Sequence, residues 1–180
     1  MLSGRMRYVF GCLFVALAWI GPTSTAEARP RPESALERIQ IPWQKLGYKI
    51  VFMPPRPGFR AMTLPAQRRI EVYARPEDDL DLLAFDIAHE LGHVIDLTHN
   101  TAKSRKEWMQ FRGISPTTKW FGCNRCSDYK TPAGDFAESF ALFMLGPKYF
   151  RGRIASPPAA EQIQALARFF PKDFIPAVAD

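Results

Sequence analysis

The stretch Asp79-Leu80-Asp81-Leu82-Leu83-Ala84-Phe85-Asp86-Ile87-Ala88-His89-Glu90-Leu91-Gly92-His93-Val94-Ile95-Asp96-Leu97 decides how the chain is read. Leu82, Leu83, Ile87, Leu91, Val94 and Ile95 recur at spacings of three and four, the period of one helix face. Asp79 and Asp81 stand at the start, where the helix dipole favours carboxylates. The pattern predicts a long helix over 79–97. His89 and His93 then lie about 40° apart around its axis and ~6 Å along it, so both imidazoles can point at one ion. Gly92 costs ~1 kcal/mol relative to Ala inside a helix, which implies that another segment packs closely there.

The pentapeptide His89-Glu90-Leu91-Gly92-His93 has the H-E-x-x-H spacing that joins metal ligands to a general base. Glu90 projects beside the two ligands, where it can take a proton from water and return one to a leaving amine. Zn2+ is the expected cofactor, and a catalytic zinc takes three protein ligands with one position open. Two places compete for the third ligand. One is Asp135 and Glu138, a turn apart on a later helix. The other is His99, six residues after His93, the separation of the H-E-x-x-H-x-x-G-x-x-H pattern of metzincins. Asp96 occupies the glycine position of that pattern, and a helix continuing through it carries His99 out of reach. Asp96 is placed to accept the second ring N–H of His93. Tyr129, or less simply Tyr149, is a candidate donor to the oxyanion of the transition state.

The octapeptide from His89 to Asp96, followed downstream by Tyr129 and then Asp135-Phe136-Ala137-Glu138-Ser139-Phe140, resembles the gluzincin peptidases of the anthrax lethal factor type and their small secreted bacterial relatives. The resemblance covers residues 80–150. It implies a zincin-like α+β domain, zinc, hydrolysis of peptide bonds and a transition-state role for Tyr129. Matching Phe136-Ala137-Glu138 to the family's F-A-E places the family's zinc glutamate on Gly134, which has no side chain to offer. The tyrosine also stands two residues closer to that position than in the family. The metal set expected here is therefore His89, His93 and Glu138, whose side chain reaches further, with Asp135 orienting an imidazole. The reverse assignment of Glu138 and Asp135 stays open.

Outward from this centre, residues 48–53 and 69–73 read as strands, the second half-buried and suited to a sheet edge, and the two are expected to form a small twisted sheet backed by the metal helix. Further helices are expected over 103–111, 135–145 and 159–169, and most of 98–131 as loop. Ser34-Ala35-Leu36-Glu37 has capping-box spacing for a short helix. Residues 29–40 read as a flexible arm and 41–180 as one catalytic domain, the size that 180 residues with 47% hydrophobic content support. Arg5 and Arg7, an apolar run over 8–20 and Ala26-Glu27-Ala28 make residues 1–28 a secretory signal peptide, too short in its apolar run to span a bilayer. Export makes Cys123 and Cys126 a small-loop disulfide. The formal charge of +6 lacks the dense basic, aromatic-interleaved stripe of a nucleic-acid binder. The expectation is an exported, monomeric α+β zinc endopeptidase acting on protein or peptide. A non-catalytic zinc adaptor of the cell envelope and a metal-dependent cell-wall amidase are the rivals.

Overall fold

In a computed structural model, residues 31–123 and 127–176 are described. The expected signal peptide, residues 1–28, lies outside them. The fold is α+β: β1 (Lys49–Met53), β2 (Ala61–Leu64) and β3 (Arg69–Tyr73) precede α1 (Leu80–His99), α2 (Ala102–Phe111), α3 (Pro132–Leu145) and α4 (Ala160–Leu166), with short 3-10 turns between.

The sheet order is β1-β3-β2. β1 pairs parallel to β3, Lys49 opposite Arg69 and Met53 opposite Tyr73, while β2 pairs antiparallel, Ala61 opposite Val72 and Leu64 opposite Arg69. β3 is thus the central strand rather than the expected edge, and Ile70 and Val72 are fully buried. The edge belongs to β2, which sequence reading missed. Ala61-Met62-Thr63-Leu64 is too short and too weakly alternating to register as a strand, and pairing with β3 supplies what propensity does not. The chain reverses into β3 through Arg68 at φ 46°, a left-handed conformation. Arg68 is held there by donation from Nε to Gly47 O and from Nη2 to Leu46 O, both at 3.1 Å.

The sheet covers one side of α1 and α3 the other, so residues 83–96 are buried almost throughout, His93 being the partly open exception. Asp79 caps the helix, its carboxylate accepting from Asp81 N–H at 3.0 Å. Gly92 marks the closest approach of the two helices: a Cβ there would stand 2.8 Å from Ala137 Cα and 3.2 Å from Phe140 Cβ. The cost of a mid-helix glycine is repaid by this contact. Thr131 caps α3, with Pro132 in its first turn. Trp108 is fully buried against Phe136, Phe169 and Phe170, which joins α2 and the C-terminal segment to the same core.

The N-terminal segment differs from expectation. Residues Pro32–Arg38 form a 3-10 helix that begins before Ser34 and has no side-chain cap, so no capping box forms. Ala35 and Ile39 are packed into the core against α1, which makes this part of the expected flexible arm a structural layer.

Candidate metal centre

α1 brings the two imidazoles together as its period requires. His89 Nε2 and His93 Nε2 lie 3.1 Å apart. The third member is Asp128, in the 3-10 turn Asp128–Lys130: its Oδ2 is 3.0 Å from His89 Nε2 and 2.6 Å from His93 Nε2. Among the described residues this is the one group of three such side chains able to hold a metal ion. Two imidazole nitrogens and a carboxylate oxygen are an established donor set for zinc. A tetrahedral zinc sphere has ligand-to-ligand edges of about 3.3 Å, so the three atoms need open by only tenths of an ångström.

Neither carboxylate expected as third ligand is in this group. Glu138 is fully buried and approaches the other side of the His89 ring, Oε1 lying 3.0 Å from Nδ1. Its Oε2 accepts from the backbone N–H of Arg151 at 2.6 Å. Glu138 thus stands on the Nδ1 side of His89 in ion-pair contact, without an aligned hydrogen bond, where its charge can bias the ring. Asp135 is committed elsewhere. Its carboxylate accepts from Arg112 Nε at 2.9 Å, Arg112 Nη2 at 3.0 Å and Trp108 Nε1 at 3.1 Å. Because residues 135 and 138 are on one helix whose face is divided between the core and His89, neither reaches the gap between the Nε2 atoms.

Gly134 explains why Asp128 fits. A Cβ at residue 134 would lie 2.2 Å from Asp128 O and 2.6 Å from Asp128 C, so the bare helix backbone is the floor on which the Asp128 turn rests. Thr131 fastens the two, with its hydroxyl 2.8 Å from Asp128 O and 3.0 Å from Gly134 N–H. Gly134→Ala is expected to destabilise the fold by ~1–3 kcal/mol, as overpacking does, and to weaken any metal binding at the group with it. Thermal melts and a competitive zinc titration would check both, and an unaffected zinc affinity would disprove the fit.

The electrostatics suit a cation. Burial alone would lower the His89 pKa, but the carboxylates of Asp128, Glu138 and Glu90 outweigh it and hold the imidazole well above its usual value. Burial would raise Asp128, yet the two histidines pull it far below the ordinary carboxylate range. Glu90 is 8% exposed, and its Oε2 lies 2.7 Å from the Thr63 hydroxyl of β2, so this carboxylate faces the edge strand. Tyr129 packs its ring against His89, centroids 5.8 Å apart, under the guanidinium of Arg151. Burial is the main cause that pushes its phenol up to about 12, so it keeps a proton to donate at neutral pH.

The remaining candidates lie apart. Asp96 accepts from Arg105, Asn100 and Trp120, which ties α2 and the following loop to α1 rather than orienting His93. His99 packs on Phe174 at the far end of α1. Tyr149 donates to Asp79 at the opposite end. Cys123 is disulfide-bonded; Cys126, its expected partner, lies outside the described residues.

The group lies on a cleft of about 1180 Å³ whose walls include Arg60, Thr63, Asp86, Leu97, Phe121, Tyr129 and Arg151. Comparison with protein-family models, with curated proteins and with solved structures finds no match.

Proposed function

We propose that the chain is a zinc-dependent peptidase of zincin type, resembling the gluzincins in its helix motif but taking Asp128 as third ligand. The observation that carries this reading is the meeting of His89, His93 and Asp128 on the wall of an open cleft, with the Glu90 carboxylate turned toward the edge strand. His89, His93 and Asp128 would hold the ion, with Glu138 behind His89. When bound, zinc supplies Lewis-acid polarisation of a carbonyl and lowers the pKa of water.

The chain's own groups do the rest. Glu90 takes the proton of the attacking water and passes it to the leaving amine, and Thr63 holds that carboxylate in place. Tyr129 donates to the developing oxyanion. β2 has its outer edge unpaired in the sheet order, so an extended peptide can lie along it by strand addition beside Glu90. The expected leader and the disulfide at Cys123 support work in an oxidising compartment outside the cytoplasm.

The test is metal analysis joined to an assay. One zinc per chain and chelator-sensitive cleavage of casein are the expected results. Zinc-loaded protein that leaves casein intact would sink the reading in favour of an adaptor. Cleavage of peptidoglycan fragments alone would favour an amidase.

A further inference from the structure

The cleft has two unlike ends. Among the described residues the large exposed apolar side chains are Leu97 and Phe121, 42% and 49% exposed, and both line it. Leu97 stands one turn past His93 on α1. Phe121 is kept at that end by Arg105, which is paired with Asp96 and lies 5.0 Å over the Phe121 ring. Two such side chains on its wall give that end of the cleft an apolar face.

At the other end, one turn before His89, the buried Asp86 has both oxygens occupied. Arg60 Nε donates to Oδ2 at 2.7 Å and Arg151 Nη2 to Oδ1 at 2.6 Å. Each guanidinium keeps N–H groups beyond the one that Asp86 takes. Nη1 of neither arginine makes a hydrogen bond to a described residue, and both side chains stay about a quarter exposed in the cleft. Arg56 lies further along the same wall, stacked 4.2 Å over Phe59. Asp78 is the other carboxylate that faces Arg60, and Glu138 the other that faces Arg151. The side chains of both are buried, so what the two arginines offer to the cleft is their remaining N–H donors.

The direction of a bound chain follows from two contacts. Arg60, just before β2, bonds Asp86, while Thr63, within β2, bonds Glu90, so β2 and α1 run the same way past the site. Antiparallel pairing is the slightly stronger kind per residue. A peptide antiparallel to β2 therefore enters with its N-terminal part at Leu97 and Phe121 and leaves with its C-terminal part at Arg60 and Arg151. The rise of α1 from Asp86 to Leu97 is ~16 Å, about five extended residues.

We propose that the cleft selects peptides with an apolar side chain on the N-terminal side of the cleaved bond and a carboxylate, of an acidic residue or a chain end, on the C-terminal side. This rests on the peptidase reading for its site but not on turnover for its test. Fluorescein-labelled peptides would be bound to the full chain, zinc-loaded with Glu90→Gln and also metal-free, and followed by anisotropy. One peptide places Leu and Phe before Asp and Glu, the second reverses them, and the third replaces the acids by amides. The first is expected to bind about tenfold more tightly than the others, the range of a charge-assisted hydrogen bond. That margin should shrink with added salt, and fall to about twofold in Arg60→Gln.

Should Arg60→Gln fail to fold, Arg56→Gln and the salt series carry the same comparison. Equal affinities, preference for the reversed peptide, or a margin untouched by both arginine variants and by salt would overturn the proposal. A chain that shows the preference but never cleaves would overturn the peptidase reading and leave this selectivity standing.

Discussion

Asp128→Ala is expected to lower zinc affinity by more than about 100-fold, beyond the upper end of what losing a partner behind a ligand costs, while the protein stays folded. The side chain is about a third exposed and contributes nothing to the hydrophobic core. What anchors its turn is the backbone carbonyl, which still accepts from Thr131 N–H and Oγ1 after truncation. A competitive titration against a chromogenic chelator reads the affinity, and circular dichroism the fold. The comparison variants separate the three acids. Glu138→Gln should lose ~10–100-fold in affinity, through His89 alone. Asp135→Ala should instead lose stability, by ~3–5 kcal/mol, because it strands the buried Arg112. Zinc binding that survives Asp128→Ala but fails in Asp135→Ala with the fold intact would return the third position to α3.

How far the sequence carries depends on where each element gets its order. α1 was legible because period, acidic start and motif agree over one continuous run, and its observed bounds differ from the expectation by only a residue or two. α2 was legible only as a helical stretch within a segment expected to be mostly loop, and α3 from its apolar face and Gly146-Pro147 stop, its first turn from Pro132 going unread. β2 was not, since a four-residue edge strand is made by its partner. Its absence moved the expected edge onto β3, although the expectation of a small sheet against the metal helix held. Glu138 and Asp135 were found as important acids because they sit in a recognisable helix. Their roles were not legible, since sequence does not say whether a helix carboxylate meets an imidazole, as Glu138 does, or a buried arginine, as Asp135 does. Asp128 was missed altogether, lying in a loop with no period, beside a cysteine pair. One signal pointed to it: Gly134 stands where the resemblance asks for a zinc glutamate. A glycine there leaves room for a neighbour, and the occupant is the turn that carries Asp128.

Glu90→Gln is expected to abolish hydrolysis, by ~10²–10⁴-fold in kcat as loss of a general base costs, with zinc content unchanged. The substitution is nearly isosteric, and the Thr63 hydroxyl can hold a Gln carbonyl as it holds the carboxylate at 2.7 Å. Glu90 is outside the group formed by His89, His93 and Asp128, so the metal keeps its ligands. Affinity for a slowly cleaved peptide should also persist, because β2, Leu97 and Arg60 are untouched. The split matters more than the loss. Activity and zinc lost together would mean that Glu90 holds the site up rather than taking a proton, while full activity with zinc in place would end the mechanism. Zinc retained, peptide bound and turnover gone is the combination that a proton-transfer role alone produces, since the Gln amide keeps the shape of the carboxylate but cannot accept the proton.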